Sequence, residues 1–278
     1  MPYSMYDYFS PLFKILGSIF IASAPARALG DSARTGNFVA QFASPISLPG
    51  MRNQNIDYAL NPATKSFLVH VPRGYSQAYA YGLVVYMYPG DQVDSLPAGW
   101  IDILDQRRLL FIAPNGAGDY QDVSRRLGLA VIAAREMQAQ YHIDPNRIYA
   151  AGWSGGARMA GRLAFFQPDI FHGTIQSCGA DFYRPVELVL TTSQAQFGGG
   201  VYGEFKATEP EILRAQRVRF TFITGRGDFR HGNIVDIVKN GYQQDGFQTR
   251  LFDVKGMGHQ EADASILEKA LDFIETSP

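Results

Sequence analysis

The sequence predicts an α/β protein built on a mainly parallel sheet with helices on both faces. Three observations predict it. From about residue 60, short β-branched or aromatic runs alternate with longer stretches of helical period. Several of the strands are nearly continuous apolar runs, as strands buried on both faces must be. A tight glycine turn, Gly152-Trp153-Ser154-Gly155-Gly156, falls between one such run and a helical stretch.

Lys65–Val71 (KSFLVHV) alternates as a strand and ends at Pro72, and Gly82–Tyr88 (GLVVYMY) is a buried strand that stops at Pro89-Gly90. Leu109–Ala113 (LLFIA) is the next strand. Leu129, Ile132, Ala133 and Met137 then share a helical face within 128–141. Asp144-Pro145-Asn146 reads as a turn before a short strand at 147–151, and Met159, Leu163 and Phe165 set a helix after Gly155. Strands follow at 173–177, 220–224 and 249–254. A last helix spans 263–274, with Asp263 as its N-cap and Ile266, Leu267, Ala270, Leu271 and Ile274 on one face. Tyr183 to Val218 has no clean period and reads as an excursion over the sheet, a lid or binding segment.

Composition narrows the function. Of 278 residues, 46% are hydrophobic and 18% charged, which describes a folded domain with a sizeable core and not a disordered chain. Lys and Arg total 25 against 26 Asp and Glu, so no global field draws in nucleic acid or an anionic membrane. One cysteine, Cys178, permits neither an intrachain disulfide nor a cysteine-rich metal site. Residues 1–28 read as a signal peptide: Lys14 precedes an apolar stretch from Ile15 to Ala24, followed by small-residue cleavage sites at Ala24-Pro25-Ala26 or Ala26-Arg27-Ala28. That stretch is too short to span a bilayer, so the expectation is an exported, secreted or periplasmic protein with one catalytic domain over 29–278.

A serine between strand and helix in a glycine turn is the pattern of a nucleophile elbow, and it makes Ser154 the candidate nucleophile. A serine hydroxyl needs a base. His259 fits, because it follows the strand at 249–254 in the loop Lys255-Gly256-Met257-Gly258-His259. His231 is its competitor, while His70, His142 and His172 sit within or at the ends of elements. The acid that holds the base is assigned to Asp228, just after the strand at 220–224, in preference to Asp236, Asp245 or Asp253. The order Ser154, Asp228, His259 is the one expected on such a sheet. Two donors must meet the oxyanion: the N–H of Gly155, and the N–H of Asp91 or Gly90 in the turn after 82–88. An Asp91 carboxylate there would repel the oxyanion unless it turns away. Trp153 and Tyr183 are candidate substrate-binding residues, with Phe182, Phe197 and Tyr202 as further aromatics able to line a pocket or fill the core.

The stretches LVVYMYPGDQ, IDPNRIYAAGWSGGARMA, CGADFY, FITGRGDF and GMGHQEADASILEKALDFI resemble the α/β-hydrolase superfamily, and within it the exported polyhydroxybutyrate depolymerases and feruloyl esterases. The resemblance runs from about Ser66 to Ile274. It implies the α/β-hydrolase fold and a serine ester hydrolase with Ser154 as nucleophile, Asp228 as acid, His259 as base, and Gly155 and Asp91 as oxyanion donors. It implies no metal or organic cofactor, no nucleic-acid partner, and short-chain, hydroxyalkanoate or aromatic (feruloyl-type) esters as substrates. Pro89 stands where the family has His, and Asp91 where it has a small neutral residue or cysteine. The alternatives are a non-catalytic hydrolase-like binding protein, or an acyltransferase or amidase using the same triad.

Overall fold

The computed structural model describes residues 33–42, 55–189 and 205–276. Eight strands form one sheet in the order β1-β2-β4-β3-β5-β6-β7-β8. They are β1 (Gly36–Ala40), β2 (Phe67–Val71), β3 (Tyr81–Met87), β4 (Leu109–Pro114), β5 (Ile143–Trp153), β6 (Gly173–Ser177), β7 (Arg219–Thr224) and β8 (Gln248–Asp253). β1 pairs antiparallel with β2, and β2 antiparallel with β4. The remaining strands, from β4 through β3 to β8, are all parallel.

Every residue of β3, β4 and β6 is buried. That is what the unbroken apolar runs require, because helices cover both faces. Helices α2 (Val123–Gln140) and α3 (Gly155–Phe166) pack on one face. Helices α1 (Trp100–Gln106) and α6 (Ala264–Glu275) pack against each other on the opposite face. The sheet thus separates two apolar clusters, one containing Met137, Leu163 and Phe220, the other Trp100, Leu104 and Leu271. The Trp100 indole N–H donates to the Ala262 carbonyl at 2.8 Å and ties α1 to the chain entering α6.

The expected strands and helices form, with instructive shifts. Asp144-Pro145-Asn146 is a bulge inside a longer β5: Ile143 pairs with Tyr81, but Leu83 already pairs with Ile148. The Asp144 side chain accepts from the Asn146 N–H at 2.9 Å, which is the local turn chemistry the sequence signalled. The last helix begins as expected, with the Asp263 carboxylate accepting from the Ile266 N–H at 2.9 Å. The excursion at 183–218 is not aperiodic throughout, since it contains helix α4 (Glu209–Ala215). Thr208 and Glu211 form a capping box at its start. Helix α5 (His231–Ile237) leads into a π-helical turn at Val238–Tyr242. Residues 190–204 of the excursion, with Phe197 and Tyr202, lie outside the described residues, as does the 1–28 segment read as a signal peptide. No helix among the described residues is long and apolar enough to cross a membrane.

Candidate active site

Parallel strands bring their carboxyl ends to one edge of the sheet, where ligands of such sheets bind. β5 ends at Trp153 and the chain turns sharply into α3. Ser154 sits at the turn with φ 55° and ψ −120°, a strained conformation for a residue with a side chain. The approach is tight: a Cβ at Gly156 would overlap the Met87 carbonyl, so the elbow can close against β3 only because residue 156 is glycine. At Gly155 a Cβ would meet the Asp119 carboxylate, which is held in place by Arg126 at 2.8 Å.

β7 and β8 deliver the other two groups. Four residues past Thr224, Asp228 is buried; six residues past Asp253, His259 is partly exposed. Main-chain contacts lock the two loops together: the Gly227 N–H donates to the Met257 carbonyl at 3.1 Å, and Gly227 bridges to Gly258. His259 Nε2 lies 2.9 Å from Ser154 Oγ, and His259 Nδ1 lies 2.7 Å from Asp228 Oδ1. An ionised carboxylate only accepts, which assigns the imidazole proton to Nδ1 and leaves Nε2 as the acceptor for the serine hydroxyl. The three residues the sequence placed on separate loops are thus one hydrogen-bonded relay. The other carboxylates and histidines are engaged elsewhere. His231 faces Asp253 at 3.1 Å, Asp245 pairs with Arg184, and His70 bridges Asn37 and Asp105.

Asp228 has further donors that the sequence did not single out. The Thr224 hydroxyl donates to Oδ2 at 2.8 Å, and the Arg230 N–H donates to Oδ1 at 3.0 Å. Cys178, buried at the end of β6 with φ 55°, places its sulfur 3.3 Å from the Gln260 carbonyl. Burial, reinforced by the Asp228 charge, pushes its thiol up to about 12, so it stays protonated as a small apolar filler beside the relay. The only signal for Thr224 was a hydroxyl residue ending the strand just before the acid.

Two aromatic rings flank the imidazole. Phe229, 49% exposed, lies with its ring centroid 4.2 Å from that of His259. Trp153 lies at 5.6 Å and also contacts Tyr88. The indole N–H of Trp153 is buried and has no acceptor among the described residues. Tyr183 is placed differently: its ring packs on Phe165, Phe182 and Phe247, and its hydroxyl bonds Asp245. Phe182 is fully buried in that cluster.

Of the two residues expected as oxyanion donors, Gly155 begins α3 directly after Ser154, so its N–H belongs to the unpaired first turn of the helix. Asp91 follows β3 by four residues, and its carboxylate is turned to the loop after β4. Oδ1 accepts from the Gly118 N–H at 2.9 Å and Oδ2 from Gln121 Nε2 at 3.0 Å.

A model of the prolyl oligopeptidase family matches residues 129–210, which cover the elbow and most of the excursion. A poly(3-hydroxybutyrate) depolymerase from Ralstonia pickettii is 32% identical over 273 aligned residues; the match covers 82% of this chain and 53% of that protein. The chain therefore spans about half the length of this curated relative. A solved ferulic acid esterase is similar with a TM-score of 0.57 at 14% identity, covering 86% of this chain and 97% of that one. The S-formylglutathione hydrolase of Staphylococcus aureus gives 0.54 at 13% identity, covering 86% and 99%. Sheet order and elbow define the fold class: the chain has the α/β-hydrolase fold, with Ser154, His259 and Asp228 hydrogen-bonded in series at the carboxyl edge of its sheet. Within that class its sequence is similar to the depolymerase, and its fold is shared with esterases and peptidases.

Proposed function

We propose that the chain is an exported serine carboxylic ester hydrolase that works through an acyl-enzyme. The relay Ser154–His259–Asp228, at 2.9 and 2.7 Å, carries this reading. Ser154 Oγ attacks the ester carbonyl carbon while its proton passes to His259 Nε2, and Asp228 stabilises the imidazolium. The N–H groups of Gly155 and Asp91 meet the oxyanion. The tetrahedral intermediate breaks the bond to the leaving oxygen, and His259 returns the proton to the departing alcohol. Water, deprotonated by the same imidazole, then attacks the acyl-enzyme, releasing the acid and restoring the serine.

The similarity to a depolymerase and the fold shared with a ferulic acid esterase support hydroxyalkanoate or aromatic acyl esters as the substrate class, alongside short-chain esters. Trp153 and Phe229 lie against the base and are placed to line the acyl or alcohol site. The match to the prolyl oligopeptidase family supports amide cleavage as the second reading, since the same relay serves either bond. Hydrolysis of a series of p-nitrophenyl esters of increasing acyl length, with methyl ferulate and an aminoacyl p-nitroanilide, separates the two. The wild type is expected to turn over esters well above the anilide, and Ser154→Ala to lose at least about 10³-fold in kcat. Activity retained in Ser154→Ala would refute the assignment.

A further inference from the structure

The esterase reading makes the Asp91 N–H an oxyanion donor, and the hydrogen bonds around Asp91 show what its carboxylate does. Its main-chain carbonyl accepts from the Gly116 N–H at 2.7 Å. Its two carboxylate oxygens accept from the Gly118 N–H and from Gln121 Nε2. One residue thus makes three hydrogen bonds to the loop between β4 and α2. Two more bonds join the same segments on either side: the Asp119 N–H donates to the Pro89 carbonyl at 2.7 Å, and the Val93 N–H donates to Asn115 Oδ1 at 2.8 Å. The contact is close enough that a Cβ at Gly118 would meet Asp91 N and the Gly90 carbonyl carbon at 2.8 Å. The loop is itself anchored from behind, since buried Arg126 donates to the Ala117 carbonyl at 2.8 Å and pairs with Asp119.

We propose that Asp91 is a positioning residue whose side chain clamps the Pro89–Asp91 turn to the loop at 115–121, and that this clamp fixes the Asp91 N–H as an oxyanion donor. The inference rests on the esterase reading above. It explains how a carboxylate is tolerated at this place: both oxygens are drawn to donors on the neighbouring loop. A donor helps catalysis only if it is held where the oxyanion will form, so a loosened clamp lowers turnover more than substrate binding.

The test measures kcat, KM and melting temperature of the full chain on its best p-nitrophenyl ester. Asp91→Ala keeps the main-chain N–H but removes the clamp, and its kcat is expected to fall about 10–100-fold with KM within about twofold. Gln121→Glu sets two carboxylates face to face and is expected to lower kcat likewise. The double variant Asp91→Asn/Gln121→Glu inverts donor and acceptor and restores the pair, so kcat is expected to return to within about threefold of wild type. If Asp91→Ala is unstable, the half-buried Gln121→Glu and its rescue decide the matter alone. Wild-type kcat in Gln121→Glu, or failure of the double variant to recover, would overturn the clamp while leaving the esterase reading intact. A wild type without any turnover would instead overturn the esterase reading, and the clamp's role with it.

Discussion

The strained turn at Ser154 could be read from its flanks because few sequences supply such a backbone. A side-chain-bearing residue at φ 55° costs about 1–3 kcal/mol and persists only where its neighbours over-determine it. The glycine-rich turn signalled that strain in one dimension. What supports Asp228 was not legible, because hydrogen bonds to a carboxylate depend on where β7 ends in space and not on spacing. Thr224 is the clearest case. Its hydroxyl is a buried donor to Oδ2, the oxygen that His259 does not use. Thr224→Val keeps the shape and β-branching while deleting the donor. It is expected to lower kcat/KM about tenfold or more, the worth of a hydrogen bond to a buried charge, with KM nearly unchanged. Steady-state kinetics beside the wild type measures this, and an unaltered kcat/KM would show that the Arg230 N–H and His259 suffice.

At the scale of elements, apolar runs located the strands, and the errors fell where tertiary context overrides local pattern. Asp144-Pro145-Asn146 has turn chemistry, and it forms a turn, but one absorbed as a bulge within β5. Helix α4 was missed because Thr and Gly clusters nearby hid a good capping box, Thr208 to Glu211. Helix α2 carries a polar residue the period could not explain. Glu136 is buried among the core residues of α2, one carboxylate oxygen has no partner among the described residues, and burial raises its carboxyl to about 7. Its folded-state pKa lies above the ordinary value of 4.5, so between pH 4.5 and 7 the folded chain binds the extra proton. Stability from this group therefore falls as pH rises through that window and stays low above it. Glu136→Gln is expected to raise the melting temperature at pH 8, by the equivalent of about 1–3 kcal/mol, and to change little at pH 4.5. Thermal melts of both proteins at the two pH values check the sign. An equal effect at both would show that the carboxyl is not ionising in place.

For the whole molecule, the parallel order from β4 through β8 makes the site possible. Three loops far apart in sequence, after β5, β7 and β8, emerge at one sheet edge, and the β3 loop joins them. This is why relay members separated by 74 and 31 residues could be assigned from order and loop position, before any distance was known. The aromatic environment was less legible. Tyr183, expected at the substrate, has ring contacts in the Phe165–Phe182–Phe247 cluster, whereas Phe229 beside His259 drew no notice because a lone aromatic in a turn has no period. On the proposed function, the relay activates Ser154 as a nucleophile. That activation is tested most directly by treating the chain with a fluorophosphonate and locating the adduct by peptide mass spectrometry. A single stoichiometric adduct is expected on the peptide carrying Ser154, formed at least about 100-fold more slowly in His259→Ala. No adduct, or one that forms equally fast without His259, would contradict it.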